Sequence, residues 1–262
     1  MKILTIIGSY RRNGNTAQIG KAVNQHLSEV AAVQNVPLEI ETIYLGAPEV
    51  QACRGCRICF NLGEEHCPIH DAFLTIKEKM RAADGIVIAS PVYVDDVNGL
   101  TKNWIDRLAH VCHRPEFAGK CASLIVTVGS AYSAHSLGTL NLALSTWGFH
   151  ITSKDSFTMG ALMKPEQAQV AFAQRTKKIA VKLFTAIQTK AYLRPNFLSL
   201  LMFQIYQHVW QSAAFSGTYD QRYWQDQDWF STRKSYYIPV ESRPLQAGLA
   251  RVAGSIIAKF VA

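Results

Sequence analysis

Residues 3–16 read Ile-Leu-Thr-Ile-Ile-Gly-Ser-Tyr-Arg-Arg-Asn-Gly-Asn-Thr. The first five are an unbroken apolar run, the pattern of a strand buried on both faces. A turn follows, and from Thr16 onward the period changes. Ile19, Val23, Leu27 and Val30 fall on one helical stripe. A strand that passes through a Gly-containing turn into a helix is the opening unit of a parallel α/β sheet. The helix start presents free N–H groups and the positive end of its dipole, which suits an anion. Ser9, Asn13, Asn15 and Thr16 add side-chain donors, and Arg11 can neutralise charge. Gly8 and Gly14 let the backbone curl around the ligand. The stretch is neither G-x-G-x-x-G nor a Walker loop, because it lacks the Lys-Ser/Thr end. The plainer reading is an ordinary strand-to-helix turn capped by Asn or Thr.

The same alternation continues to about residue 190. Residues 38–44 partly alternate, as an edge strand does, and 85–90 and 124–128 are buried-strand runs. Residues 149–151 open a short last strand. Asp71 can cap a helix whose inner face carries Phe73, Ile76 and Met80. Residues 98–111 place Leu100, Trp104, Leu108 and Val111 inward, and Leu137, Leu140, Leu144 and Trp147 form another stripe. Residues 166–192 read as one long helix. Five strands separated by helices predict a doubly wound α/β fold with a five-stranded parallel sheet of order 2-1-3-4-5. Ligands of such sheets sit beyond the carboxyl ends of the strands, so function is expected in the loops after Ile7, Ser90 and Val128. The expected division is a sheet domain over 1–192 and an aromatic, mostly helical C-terminal extension over 193–262.

With 262 residues, 48% hydrophobic and 18% charged, the chain is neither a disordered tail nor a disulfide-stapled miniprotein. The formal charge of +8 is spread along the chain, and no nucleic-acid recognition motif accompanies it. The N-terminal apolar run is too short for a signal peptide, and no stretch reaches the ~18 apolar residues of a spanning helix. Six cysteines without a secretory signal point to a reducing cytoplasm and to metal or redox chemistry. The surplus of Lys and Arg beyond residue 190 permits a membrane-surface contact without demanding one.

Four of the cysteines, Cys53, Cys56, Cys59 and Cys67, are spaced C-x2-C-x2-C-x7-C. Such a compact loop suits one [4Fe–4S] cubane better than structural zinc, which prefers two separated C-x2-C pairs. A cluster-free thiol loop is the competing reading. Arg54 and Arg57 sit where they can offset cluster charge. His66 and His70 flank Cys67 as exposed loop residues or as ligands, while Cys112 and Cys121 read as buried or incidental.

Taken together, GSYRRNGNT at 8–16, the cysteine loop, Ala89-Ser90-Pro91-Val92-Tyr93 with Leu100-Thr101-Lys102 and Asp106-Arg107, and Val128-Gly129-Ser130 resemble the flavodoxin-like, FMN-binding NAD(P)H oxidoreductases. The resemblance is closest to the branch containing the iron–sulfur flavoproteins, and it covers roughly residues 1–190. It implies a flavodoxin-like fold, FMN as cofactor and NAD(P)H as co-substrate. The FMN phosphate would lie on Ser9, Arg11, Asn13, Asn15 and Thr16. The isoalloxazine would lie against Pro91, Val92, Tyr93, Val94, Asn98, Gly129 and Ser130. A residue running into Pro leaves a stiff, open loop whose N–H groups can meet the ring edge. His135 and Tyr93 are weak catalytic candidates, since the flavin carries the chemistry. Asp95 and Asp96 read as turn residues. Within iron–sulfur flavoproteins the cysteine pattern holds a [4Fe–4S] cluster, while relatives with a similar loop need not hold one.

The function so implied is electron transfer from NAD(P)H or a protein donor to a quinone, a flavin or a similar small-molecule acceptor. The alternatives are an iron–sulfur flavoprotein carrying electrons between redox protein partners, or a thiol/flavin redox sensor. An open flavin edge and an aromatic extension also lead us to expect a homo-oligomer.

Overall fold

A computed structural model describes residues 1–47, 50–129, 133–160, 163–241 and 244–261. Its strands are β1 (Lys2–Ile7), β2 (Glu39–Tyr44), β3 (Gly85–Tyr93), β4 (Asp96–Val97), β5 (Cys121–Val128) and β6 (His150–Thr158). Its helices are α1 (Asn15–Val33), α2 (Ile58–Asn61), α3 (Phe73–Ala82), α4 (Gly99–Arg107), α5 (Ala134–Thr146), α6 (Pro165–Ala171), α7 (Ala173–Gln188), α8 (Phe197–Gln211), α9 (Tyr219–Asp226) and α10 (Pro244–Val261).

The sheet runs β2-β1-β3-β5-β6, all parallel, with the two-residue β4 paired antiparallel to β3. With β4 set aside this is the expected order, a flavodoxin-like arrangement. Central strands are buried on both faces, and every residue of β5 is buried. Alternation sends Leu4, Ile6, Ile86 and Ile88 into one core with Met80, Trp104 and Leu144. It sends Ile3, Ile7, Val87 and Ala89 into the other with Ile19, Val23 and Leu183. One layer of helices therefore covers each face.

Four local readings need correction. Residues 90–94 are not an open loop, because β3 continues through Tyr93 into a hairpin with β4. The last strand spans nine residues rather than three. It is an edge strand with polar outward residues such as Lys154, so it carries no continuous apolar run. The helix expected over 166–192 breaks at Phe172 into α6 and α7. The helix expected over 98–111 starts at Gly99, with Asn98 as its cap, and passes into a 3₁₀ turn over Ala109–Cys112.

The C-terminal aromatics pack chiefly on one another. Phe203, Trp210, Trp224, Trp229, Tyr236 and Tyr237 form a third core between α8, α9 and α10. Ring centroids lie 4.8 Å apart for Trp229–Tyr237 and 4.9 Å for Phe203–Tyr237, distances typical of favourable aromatic pairs.

Candidate functional site

Gly8 leaves β1 and donates its N–H to the Ala89 carbonyl at 2.8 Å, which ties the first loop to the third strand. A Cβ at Gly8 would lie 1.9 Å from Thr101 Oγ1, so no other residue fits there without displacing α4. Beyond it, α1 begins with Gly14 at the N-cap, no side-chain cap and no acidic residue in the first turn. Its first N–H groups are therefore left for a ligand. The buried Ser9 accepts from the Arg11 N–H at 3.1 Å through Oγ. Buried Thr16 shares a 2.6 Å hydroxyl hydrogen bond with Thr127 on β5. Asn15 Oδ1 is buried without a partner among the described residues. Arg11 is exposed and packs beside Gly14. Asn13 instead turns along α1, its Oδ1 accepting from Lys21 Nζ at 3.0 Å.

The hairpin pairs Val92 with Val97 and Tyr93 with Asp96. Its two turn residues, Val94 and Asp95, have φ of 51° and 65°. Both lie in the left-handed region, as a two-residue type I′ turn requires. Tyr93 and Val94 are exposed, while Pro91 and Val92 are half-buried. The start of α5 leans on the turn: Ser136 Oγ donates to the Asp95 carbonyl at 3.2 Å, and exposed His135 Nδ1 lies 3.8 Å from Asp95 Oδ2. Gly129 is exposed at the end of β5. Ser130 lies outside the described residues.

Asn98 locks these pieces together. Its Nδ2 donates to the Gly8 carbonyl at 2.6 Å, and its Oδ1 accepts from the Thr101 N–H and Oγ1 at 3.1 and 2.7 Å. Thr101 Oγ1 in turn accepts from Ser90 Oγ, 3.0 Å away. The Asn98 amide is thus engaged within the protein, holding the first loop and the hairpin in one frame.

The four cysteines lie between β2 and α3, and all are free. Gly55 and Arg57 take φ of 64° and 61°, which turns the chain sharply between successive cysteines. Among the described residues no three of these sulfurs lie within 4.8 Å of one another. A tetrahedral zinc site, with Zn–S bonds of about 2.3 Å, needs tighter packing than that. Burial pushes the Cys59 thiol up to about 11; Arg114 pulls against this, and the other three thiols add to it.

Helix α4 closes this loop. Asn103 Oδ1 accepts from the Cys53 N–H at 3.2 Å, and Asn103 Nδ2 donates to the Val50 carbonyl. Buried Arg107 forks onto Asp71 at 2.6 and 3.2 Å, donates to the Gln51 carbonyl at 3.0 Å and lies 3.8 Å from Cys67 Sγ. Asp71 also accepts from the N–H groups of Gln51 and Phe73, so one ion pair gathers both ends of the loop. Despite its burial, these bonds hold the Asp71 carboxyl below the usual range.

A buried charge network, which sequence reasoning missed, supports the same loop from below. Lys77 Nζ pairs with Glu64, with Glu116 at 2.6 Å and with His110 Nε2 at 2.9 Å. Glu64, His110 and Glu116 crowd within 4.8 Å as metal ligands do, but the Lys77 ammonium already bonds to all three. Burial disfavours the Glu64 carboxylate, yet Lys77, with Arg114, outweighs it and brings it to about 2. Burial and Lys77 hold His110 neutral, well below its ordinary value. Arg114 links Glu64 at 3.2 Å to Asp220 of α9 at 3.3 Å and donates to the Cys59 carbonyl at 3.0 Å. His113 is sandwiched between Phe60 and Trp210, 4.6 Å from each. The C-terminal helices therefore brace the cysteine loop. The sequence signals were Asp71 and Arg107, each singled out without its partner.

Residues 1–162 match the family model described as NADPH-dependent FMN reductase. An iron–sulfur flavoprotein of Archaeoglobus fulgidus is 26% identical over 197 residues, 75% of this chain and 84% of the relative. One from Methanosarcina thermophila is 29% identical over 194 residues, 72% and 96% of the two chains. A third, from Methanocaldococcus jannaschii, is 38% identical over 107 residues, 41% of this chain and 51% of the relative. Among solved structures, a flavone reductase superposes with a TM-score of 0.56 at 19% identity, over 72% of this chain and 63% of its own. An azoreductase does so with 0.52 at 15% identity, over 70% of this chain and 100% of its own. These two likenesses concern the fold, whereas the family match spans the first loop, the cysteine loop, the hairpin and the end of β5. The chain belongs to the NADPH-dependent FMN reductase family and is a flavin-dependent NAD(P)H oxidoreductase.

Proposed function

We propose that this oxidoreductase holds FMN between the α1 cradle, the hairpin tip and Gly129, and a [4Fe–4S] cluster on Cys53, Cys56, Cys59 and Cys67. Electrons would enter from NAD(P)H and leave to a quinone, a flavin or a similar acceptor. The observation that carries this reading is the bridging role of α4. Asn98 at its start fixes the flavin loops, while Asn103 and Arg107 further along fix the cysteine loop. At 1.5 Å rise per residue, Asn98 and Asn103 are separated by only about 8 Å along the axis.

The residues suit both groups. An uncapped helix start and a glycine pinned against Thr101 suit a phosphate. Four free thiols on a loop flanked by Arg107 and Arg114 suit an iron–sulfur group whose thiolates need cations nearby. Bound FMN would supply hydride acceptance from NAD(P)H and onward electron delivery. The chain's part is binding and orientation. The α1 N–H groups and Arg11 take the phosphate, the hairpin backbone borders the ring, and Arg107 offsets charge at Cys67.

An absorption spectrum of anaerobically purified protein, with iron and sulfide analysis, tests both halves. The expectation is flavin bands over a broad iron–sulfur absorbance that Cys56→Ala removes while the flavin stays. Flavin without iron would remove the cluster, and iron without flavin would remove the cradle assignment. NAD(P)H turnover with a soluble quinone tests the acceptor class.

A further inference from the structure

Helix α10 packs on α8 with small residues. Ala250, Gly254 and Ala258 are buried, and a Cβ at Gly254 would lie 2.5 Å from Gln204 Cβ. The opposite face is apolar and open. Leu245, Leu249, Val252, Ile256 and Phe260 are 83%, 64%, 61%, 53% and 86% exposed. At 3.6 residues per turn these five lie within roughly 80° of arc, a continuous stripe along the helix. The only charged residues of α10 are Arg251 and Lys259, both exposed; Lys259 borders the stripe and Arg251 lies on the same side, roughly 100° from its edge. The helix carries no acid. Among the described residues no helix is long and apolar enough to cross a membrane.

An apolar stripe on a helix whose only charges are cations matches one environment in particular, a lipid surface bearing negative charge. A second copy of the chain fits less well. Antiparallel pairing of two stripes about Val252 would bring the two Arg251 to the same level with no acid on either helix to answer them, and would leave the two Lys259, about 21 Å apart, equally unanswered. An acidic protein groove would answer the charges, but a stripe of five side chains along the whole helix is more than isolated anchors need. We propose that α10 seats this enzyme on an anionic membrane surface, with the stripe in the headgroup–acyl boundary and Arg251 and Lys259 against lipid phosphates. Reduction at the bilayer surface would give the enzyme access to acceptors dissolved in lipid.

Co-sedimentation of the full-length protein with vesicles tests this, using phosphatidylcholine alone or phosphatidylcholine mixed with phosphatidylglycerol. Binding is expected to the mixed vesicles at low salt, to weaken as salt rises, and to be much weaker on phosphatidylcholine alone. The Leu249→Glu/Ile256→Glu variant should bind at least about ten-fold more weakly. Arg251→Gln/Lys259→Gln should lose roughly five-fold per cation on anionic vesicles only. All four positions are exposed, so flavin content and circular dichroism should match wild type. Failure of the wild type to sediment with mixed vesicles at low salt overturns the proposal. So does equal binding to both vesicle types, or undiminished binding by the Leu249→Glu/Ile256→Glu variant. Conversion of a dimer to a monomer by that variant, with vesicle binding intact, would assign the stripe to a second copy instead.

Discussion

The two ends of α4 are held in place by different forces. At its start the proposed flavin cradle rests on backbone: a glycine with no room for a Cβ, an uncapped helix terminus and one asparagine serving several partners. Around its last turn and the 3₁₀ turn beyond it, the cysteine loop rests on buried charge: Arg107 with Asp71, Lys77 with Glu64 and Glu116, and Arg114 with Glu64 and Asp220. Backbone and packing keep their geometry whatever the pH. Charge networks hold only while every partner keeps its charge, and they are costly to break one partner at a time.

The largest effect should therefore come from the charged end. Arg107→Gln leaves Asp71 buried without its partner, a loss of about 3–5 kcal/mol. Urea denaturation measures it, and faster trypsin cleavage after Arg54 or Arg57 reports the opened loop. A loss under about 1 kcal/mol would mean that the ion pair does not hold the loop. Glu64→Gln should cost about 3 kcal/mol at neutral pH by the same logic. Its pH signature distinguishes it. The Glu64 carboxyl is brought down from 4.5 to about 2, so its contribution is present above about 4.5 and is lost as pH falls toward 2. Acid titration of the variant, followed by tryptophan fluorescence, should lack that part of the slope.

The backbone-built end should respond less strongly. Gly8→Ala forces a Cβ onto Thr101 Oγ1 and should cost about 1–3 kcal/mol in thermal stability. FMN affinity should fall with it, because the same loop carries the cradle. Ser9→Ala with Thr16→Ala should cost about 1–2 kcal/mol of stability, because Thr127 loses its buried partner, and should weaken FMN binding by about 1–2 kcal/mol, measured by flavin fluorescence titration. Unchanged FMN affinity would move the phosphate away from this loop.

The same contrast explains what could be read in advance. Sheet order and both cores follow from apolar runs and helical stripes, and the strand-to-helix turn proposed as the cradle from its Gly, Asn and Thr, all of which are local signals. The ion pairs join residues far apart in sequence, such as Lys77 with Glu116 and Arg114 with Asp220. No spacing announces them. The hairpin was hidden for another reason. Its turn is Val94-Asp95 rather than Asn-Gly, so the stretch reads as a loop after Pro91. The opening of strand β6 was legible, but its length was not, because an edge strand with polar outward residues lacks the unbroken run that marked β1, β3 and β5.

The smallest predicted effect lies at that hairpin. Val94 holds φ of 51° while its side chain is fully exposed. A β-branched residue in the left-handed region is strained, and no burial offsets the strain here. Asn tolerates that conformation and favours a type I′ turn. Val94→Asn should therefore raise stability by about 0.5–1 kcal/mol, read as a higher melting temperature. On the proposed placement of FMN, the exposed Val94 side chain would cover one edge of the flavin ring. The stabilised variant should then release FMN faster in a stopped-flow dilution. Higher stability with unchanged FMN release would leave the hairpin as scaffold only. Lower stability would show that Val94 packs against the flavin or a partner strongly enough to outweigh its backbone strain.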